Sequence, residues 1–391
     1  MIYDVYVFTC EDSILVYGYF LLGLLIPLLL FDIKTKEIHS YRIVMKLGNF
    51  KKILDVVFPN RIVEFGEIKN KYEKEYYDLN TIKTGIYHLY DYYIKINYLK
   101  MMNILPSNTL VITGYDIFYD TMYQYTKEKL NVSRNRFVVL MEKYLTFYYT
   151  NDVKYRLTRI EKEERKIYYY KFINNLLINN KSLFINYLNK ITQNIKITNK
   201  KILYIKRKKQ TEYIDNFEGG GIRFIYNDKE FEKELLKNLD VNIVYLEDYN
   251  FLEQYVLIKS SKIIVGLHGS GLTNIIFMDK DSLVIEISGV INIDSYIFRN
   301  IANTFGLKYE HIAQKQMTYE ESMKYFNNLT YKSKEIKTKV FDEINEYFTG
   351  TKYQNLNGYE KMFYPKCIQT IQNSGIIDVN QVIKTINNFL L

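Results

Sequence analysis

The sequence predicts an α/β protein of two domains, and three observations lead to this prediction. The chain has 391 residues, 48% of them hydrophobic, which is enough material for the cores of two domains. From residue 200 onward, short apolar runs alternate with amphipathic stretches. Glycine-rich segments interrupt this alternation where loops are expected. Strands that alternate with helices indicate a parallel, doubly wound sheet in the C-terminal domain.

The alternation predicts the elements of this domain in order. Strands are predicted over residues 202–205, 222–226, 241–246, 263–267 and 283–287. Helices are predicted over residues 228–237 and 251–260, and a short helix is predicted from Leu272. Asn250 and Glu253 have the spacing of a capping box at the start of the second helix. Residues 379–390 have the spacing of an amphipathic helix that closes the domain.

The first part of the chain has a weaker α/β rhythm. Residues 109–113 and 137–140 are apolar runs that predict buried strands, and residues 87–99 predict a helix. No linker rich in proline or serine marks a boundary. We therefore place the boundary where the clear alternation begins, which divides the chain into domains 1–199 and 200–391.

Residues 14–31 form an uncharged apolar run near the lower limit of length for crossing a bilayer. Two interpretations stay open: a membrane anchor, or a hairpin buried in the first domain, since Gly18, Gly23 and Pro27 interrupt the run. By the positive-inside rule, the flanking charges of an anchor would leave the bulk of the chain in the cytosol. We expect a cytoplasmic protein, with a membrane-anchored ER or Golgi location as the alternative.

The charge balance favours an anionic partner. Lys and Arg exceed Asp and Glu by 53 to 44, a net charge of +9, which suits nucleotides, nucleic acid or acidic lipids. Many lysines lie in runs of mixed sign, the pattern of a solvated helix face rather than of a nucleic-acid-binding stripe. The two cysteines lack metal-ligand spacing, so we expect neither a disulfide framework nor a zinc site.

The segment KIIVGLHGSGLTN, residues 262–274, is the strongest local motif. An apolar strand leads to His268, Gly269, Ser270 and Gly271, and a helix is predicted to follow. Glycine lets the backbone approach an anion, and the free N–H groups at a helix start favour phosphate by roughly 0.3–1 kcal/mol per charge. The motif is neither a Walker loop nor GxGxxG, which argues against an ATPase or a dehydrogenase. A turn that needs glycine only for packing is the alternative.

The run from Glu253 and Gln254 through VGLHGSGLTNIIFM to VIEI resembles the signature of glycosyltransferase family 61. This family includes plant xylosyltransferases and animal O-GlcNAc and O-mannose-extending enzymes. The resemblance implies a GT-B fold, in which two Rossmann-like domains face each other across a cleft. It also implies an inverting mechanism, a nucleotide-diphosphate sugar as donor, expected to be UDP-linked, and no obligatory metal.

The resemblance places the donor on the C-terminal domain. Residues 205–207 resemble the family's strand that ends in Arg, and residues 223–227 resemble its Arg-then-Asn segment, although the gap between the two arginines is longer than in the family. Two cations would offset the charge of the leaving diphosphate. The predicted donor-binding residues are Arg207, Arg223, His268, Gly269, Ser270, Gly271, Leu272, Thr273, Asn274 and Glu286.

Several of these residues have a second interpretation. His268 is predicted to donate to a phosphate or sugar oxygen, or else to have a structural role in the loop. Thr273 and Asn274 are predicted to reach ribose hydroxyls, although capping of the helix would also explain them. Glu286 is predicted to bind ribose or sugar hydroxyls, or to pair with a nearby cation. The triplet at residues 279–281 mimics a metal-binding DxD motif but is predicted to be a surface turn.

An inverting transfer needs a general base, which typically contributes about 10²- to 10⁴-fold to the rate. The segment GIYHLYDYY, residues 85–93, resembles the family's tyrosine-histidine stretch. In a helix His88 and Asp91 share a face, so either His88 is the base or Asp91 is the base with His88 assisting. A surface helix whose polar residues face water is the alternative.

Together these observations predict an inverting, metal-independent glycosyltransferase. Its donor would be a nucleotide-diphosphate sugar and its acceptor a hydroxyl of a glycan or a protein. Two alternatives belong to other classes: a basic nucleic-acid-binding α/β protein, and a non-catalytic glycosyltransferase-like binding protein.

Overall fold

The computed structural model describes residues 3–8, 17–21, 25–35, 39–43, 48–64, 110–113, 178, 180–198, 200–208, 211–213, 223–289, 296–353 and 364–391. The chain divides into two compact units, unit 1 over residues 1–194 and unit 2 over residues 195–391. The domain boundary that we placed from the sequence lies close by, at residue 200.

Unit 1 contains a four-stranded parallel sheet. Its strands are β1 (Tyr3–Phe8), β2 (His39–Ile43), β3 (Ile62–Glu64) and β4 (Leu110–Thr113). They lie side by side in the order β3-β2-β1-β4. Strand β4 confirms the strand predicted over residues 109–113, whereas the predictions over residues 87–99 and 137–140 fall outside the described residues.

The apolar run over residues 14–31 contributes two helices to unit 1, α1 (Tyr17–Phe20) and α2 (Ile26–Thr35). Phe20, Leu25 and Leu29 are fully buried, and the ring of Phe20 stacks on that of Phe50 with centroids 4.5 Å apart. Unit 1 also contains helices α3 (Lys51–Val57) and α4 (residues 180–192). Within the described ranges, no helix combines the length and the apolar character needed to cross a membrane.

Unit 2 is built on a five-stranded parallel sheet. Its strands are β5 (Ile202–Lys206), β6 (Val241–Tyr245), β7 (Ile263–Leu267), β8 (Leu283–Ser288) and β9 (Lys308–Ala313). Strands β5, β7 and β8 are buried along their whole length. A strand that is covered on both faces carries a continuous apolar run, which is why the sequence predicts these strands well. The strands predicted over residues 202–205, 241–246, 263–267 and 283–287 are confirmed.

The helices of unit 2 cover this sheet and extend beyond it. They are α5 (Asp228–Asn238), α6 (Phe251–Ser260), α7 (Tyr296–Thr304), α8 (Tyr319–Asn327), α9 (Lys334–Thr349), α10 (Lys366–Asn373) and α11 (Val379–Leu390). The helices predicted over residues 228–237, 251–260 and 379–390 are confirmed. Helix α11 buries Val379, Val382 and Ile386 against the core of the sheet, as its apolar spacing predicts.

The strand predicted over residues 222–226 is wrong. In the described part of this segment, Ile225 makes a single bridge to Gly375, and the N–H of Phe224 donates to Oγ of Ser374 at 3.1 Å. Its backbone groups are bound elsewhere, since the N–H of Tyr226 donates to the carbonyl oxygen of Gly375 at 2.7 Å, and the carbonyl oxygen of Phe224 accepts from Nε2 of Gln314 at 3.1 Å. The segment therefore packs on the C-terminal part of the chain instead of joining the sheet.

The helix predicted from Leu272 is a 3₁₀ helix and begins two residues earlier, spanning Ser270–Phe277. Its first turn lies directly on β7, since a Cβ atom built on Gly266 would come within 3.0 Å of Cδ2 of Leu272. Glycine at position 266 therefore serves close packing between the strand and this helix. Gly269 and Gly271, in contrast, have other surroundings, described below.

The capping box predicted for α6 is confirmed. Oδ1 of Asn250 accepts from the N–H groups of Leu252 and Glu253 at 3.0 and 3.1 Å, and the Glu253 carboxylate accepts from the N–H of Asn250 at 2.8 Å. We expect Asn250→Ala to lower the free energy of unfolding by about 1 kcal/mol, because two N–H groups lose their acceptor. Urea denaturation measures this loss, with Asn238→Ala, an exposed asparagine at the end of α5, as control. An equal loss in both variants would contradict the prediction.

Candidate functional site

The strand order of unit 2 contains a switch point between β5 and β7. The chain passes from β5 to β6 on one side, and then continues with β7 on the other side of β5. In open parallel sheets, ligands bind in the crevice outside the carboxyl ends of the strands at such a point. Arg207 directly follows β5 and His268 directly follows β7. The topology therefore brings two of the predicted site residues to one place.

The guanidinium of Arg207 lies directly against the α carbon of Gly269. A Cβ atom built on Gly269 would stand 1.7 Å from Nη2 of Arg207, so no larger residue fits there while the arginine keeps its position. Burial lowers the pKa of Arg207, and the charge of Glu247 opposes this shift. The first glycine of the motif is therefore needed for the approach of a cation.

Arg223 lies beside the same turn, despite the long gap that separates it from Arg207 in the sequence. Its Nη1 donates to the carbonyl oxygen of His268 at 3.5 Å. Burial and the charge of Arg207 lower the pKa of Arg223 to about 10, and the charge of Glu286 opposes this shift. Neither arginine forms an ion pair with a carboxylate of the described residues. The site thus holds two cations that repel each other, an arrangement that a bound anion would stabilise.

The backbone of the turn offers hydrogen-bond donors next to these cations. On either side of the turn, the N–H of His268 donates to Ile287 and that of Leu272 donates to Gly269. Between them, the N–H groups of Gly269, Ser270 and Gly271 make no hydrogen bond to a described residue. A Cβ atom built on Gly271 would have Cδ1 of Leu246, at 3.8 Å, as its nearest neighbour. Successive N–H groups at a turn form a concave anion-binding surface.

The imidazole of His268 forms a hydrogen bond to a buried carboxylate. Its Nδ1 hydrogen-bonds to Oε1 of Glu286, which is fully buried, and the hydroxyl of Tyr309 donates to Oε2 of Glu286 at 2.5 Å. The ring of Phe298 meets the imidazole edge-on, with centroids 5.2 Å apart. Of the two interpretations of Glu286, this geometry favours pairing with neighbouring side chains over contact with a ligand.

Three predicted site residues do not present their side chains at the turn. The side chains of Leu272, Thr273 and Asn274 are buried in unit 2, Asn274 with only 1% of its surface exposed. The tight 3₁₀ turn directs this segment into the space between α6, α7 and the sheet. The backbone of these residues, rather than their side chains, lies at the motif, and their contact with a donor stays a prediction.

The triplet over residues 279–281 is a surface turn, as predicted. All three residues are exposed, Asp279 pairs with Lys259, and Asp281 adopts a positive φ of 62°. The part of the chain that the structure describes contains no group of three His, Cys, Asp or Glu side chains that could hold a metal ion.

Sequence reasoning missed the contribution of β9 to the site. As an edge strand with alternating exposure, β9 lacks the continuous apolar run that marks the central strands. Besides Tyr309 it carries His311, whose Nε2 lies 2.6 Å from Oγ of Ser288. Burial lowers the pKa of His311, and the charge of Glu286 opposes this shift. The predicted catalytic residues, His88 and Asp91, lie outside the described residues.

The sheet order and the polar turn at its switch point define unit 2 as a Rossmann-like α/β unit. Comparison with protein families then identifies the chain more closely. The family model described as Glycosyltransferase 61 matches residues 96–285, just under half of the chain. This match assigns residues 96–285 to glycosyltransferase family 61 and supports a glycosyltransferase activity of the protein. No curated protein sequence matches the chain.

The matched region contains Arg207, Arg223 and the whole HGSG turn. It begins after His88 and Asp91 and ends one residue before Glu286. As a glycosyltransferase, the protein uses a sugar donor and an acceptor. The cationic turn of unit 2 is therefore the candidate binding site for the donor.

Proposed function

We propose that unit 2 binds a nucleotide-diphosphate sugar, expected to be UDP-linked, at the HGSG turn. The protein then transfers the sugar, with inversion and without an obligatory metal, to a hydroxyl of a glycan or a protein. One observation carries this proposal: Arg207 and Arg223 converge on a turn whose N–H groups have no partner among the described residues.

The proposal assigns a separate task to each part of the turn. The N–H groups of Gly269, Ser270 and Gly271 bind phosphate oxygens, because they are fixed donors that need no rearrangement. Arg207 and Arg223 offset the negative charge that develops on the diphosphate as the bond to the sugar breaks. In other enzymes a divalent cation performs this task, which is why a metal is not obligatory in the proposed mechanism.

The proposal includes a GT-B arrangement in which unit 1 supplies the acceptor side. Two features support it: both units contain a parallel sheet, and both strand orders have a switch point of the doubly wound type. The general base would come from unit 1, as His88 or as Asp91 assisted by His88. The acceptor hydroxyl would lose its proton to this base as it attacks the sugar.

The first test is turnover of a panel of labelled nucleotide sugars, with and without EDTA. We expect one UDP-linked sugar to be hydrolysed or transferred, and the rate to be the same with EDTA. Failure to bind any member of the panel would refute the proposal, and loss of turnover in EDTA would refute its metal independence. Binding without turnover, unchanged in His88→Ala, would instead indicate a non-catalytic binding protein.

The proposed role of Arg223 predicts a pH dependence of donor binding. Burial and the charge of Arg207 bring the pKa of Arg223 to about 10, so the free protein loses this charge as the pH rises through that value. Because UDP binds better to the charged form, its affinity should fall by up to about tenfold per pH unit in that range. Calorimetric titration at increasing pH measures this fall.

Arg223→Gln is the control for this measurement. This variant retains the other titrating groups of the protein, and the uracil ring of UDP titrates in both measurements. The difference between the two curves of affinity against pH therefore isolates the effect of Arg223. Parallel curves for the two proteins would contradict a contact between Arg223 and the diphosphate.

A further inference from the structure

The fully buried carboxylate of Glu286 is the most unusual charge in unit 2. A buried carboxylate is costly unless its oxygens accept hydrogen bonds from well-placed donors. Glu286 has a donor at each oxygen, since Nδ1 of His268 meets Oε1 and the hydroxyl of Tyr309 meets Oε2. Position 286 lies on β8, between β7 and β9. Strand β7 leads to His268, and β9 carries Tyr309. The carboxylate is therefore built into the sheet as a fixed acceptor.

This arrangement decides which nitrogen of His268 carries a proton. An ionised carboxylate can only accept, so the hydrogen bond to Glu286 requires a proton on Nδ1. Nε2 is then the nitrogen that remains for another partner, and no described residue hydrogen-bonds to it. The edge contact with Phe298 restricts rotation of the imidazole. A carboxylate that accepts from one ring nitrogen of a histidine in this way fixes which nitrogen is left for the ligand, and such pairs are common in binding sites.

The charges around His268 make this carboxylate important for an anion site. Arg223 contacts the carbonyl of His268, and Arg207 lies on Gly269, the next residue. Arg299 adds positive charge from α7, since its charge contributes, after burial, to the lowered pKa of His311 on β9. The carboxylate of Glu286 places a negative charge among these cations, in direct contact with the imidazole.

We infer that Glu286 and Tyr309 are positioning residues that hold His268 with Nδ1 protonated, so that Nε2 serves the diphosphate of the donor. When the anion binds, Nε2 takes up a proton from solvent and donates a charge-assisted hydrogen bond to a phosphate oxygen. The identity of the anion rests on the proposed function, whereas the pairing of Glu286 with His268 does not. Neither Glu286 nor Tyr309 needs to touch the ligand in this role.

The first experiment reads the imidazole directly, by NMR of the full chain labelled with ¹⁵N-histidine. The chain has only four histidines, and His268→Asn assigns the signals of His268. Without ligand and above neutral pH, we expect Nδ1 protonated, Nε2 bare and the Nδ1 proton shifted downfield by the carboxylate. Glu286→Gln should move this proton upfield, and Tyr309→Phe should change it less. Glu310→Gln, which removes an exposed carboxylate one position along β9, should leave it unchanged.

The second experiment adds UDP to the same proteins and measures affinity by calorimetry. Glu286→Gln should weaken UDP binding by about tenfold or more, because the hydrogen bond from His268 loses its charge. Tyr309→Phe should weaken it less, and Glu310→Gln should bind as the unmodified protein does. In the complex with the unmodified protein, Nε2 of His268 should become protonated.

The outcomes separate this inference from the proposed function. A proton on Nε2 and none on Nδ1 in the free protein would overturn the inference, as would equal UDP affinity in Glu286→Gln and the unmodified protein. If Glu286→Gln does not fold, unchanged signals and affinity in Tyr309→Phe would overturn it. The expected tautomer without any UDP binding would uphold the pairing and would count against the proposed donor alone.

Discussion

Replacing Gly269 with alanine is expected to weaken UDP binding by about 10- to 100-fold. It should also lower the free energy of unfolding by about 1–3 kcal/mol, because Gly269 has a φ of 157°, which residues with a side chain rarely adopt. The added Cβ would stand 1.7 Å from Nη2 of Arg207. The arginine is the movable partner in this clash, so its guanidinium swings away, whereas the backbone strain at residue 269 remains. The expected loss is that of one charge-assisted hydrogen bond to the diphosphate, which calorimetry with UDP measures directly.

Gly271→Ala is the matched comparison, since it adds the same atom two residues further along the turn. Its Cβ would lie no closer than 3.8 Å to another residue, in ordinary van der Waals contact, and the N–H of residue 271 is kept. We expect a much smaller loss of affinity than in Gly269→Ala. Equal losses of UDP affinity in the two variants would show that the contact between Arg207 and the turn does not contribute to binding. A loss of affinity in Gly269→Ala that is fully explained by its unfolding would show the same.

Removing both arginines is expected to have the largest effect on donor binding. A hydrogen bond to a charged group contributes roughly 1.5–3 kcal/mol, so Arg207→Gln and Arg223→Gln together should weaken UDP binding by about 10²- to 10⁴-fold. The free protein should not lose stability, because the charge of Arg207 disfavours that of Arg223. A large loss of UDP affinity without a loss of stability would distinguish an anion-binding site from a cluster of charges that stabilises the fold.

Lys208→Gln is the control for removal of a positive charge at this end of β5. Lys208 is exposed and pairs with Asp248 at 2.5 Å, so its loss should change UDP affinity little. Thermal unfolding without ligand and calorimetry with UDP are measured on all variants. A double variant that unfolds more easily and still binds UDP would show that the arginines stabilise the fold and do not bind the donor.

The sequence alone predicted the central part of unit 2. Strands β5, β7 and β8 are buried on both faces and therefore appear as continuous apolar runs, and α6 begins at a capping box formed by residues three positions apart. The HGSG turn is also predictable from local sequence, because its glycines directly follow the apolar strand in the chain. All these features depend on local sequence, which is why pattern and spacing are sufficient to predict them.

The tertiary structure determines which residues that are distant in sequence contact each other. The segment after Arg223 has the composition of a strand, yet its backbone is hydrogen-bonded to Ser374 and Gly375 near the C-terminus, and Arg223 reaches the carbonyl of His268. Besides His268, Glu286 has Tyr309 as a partner, which lies on an edge strand whose mixed polarity gives no strand pattern in the sequence. The burial of Thr273 and Asn274 likewise follows from the packing of a 3₁₀ turn. Such contacts join residues that are distant in sequence, and only the folded sheet brings their charges close enough to interact.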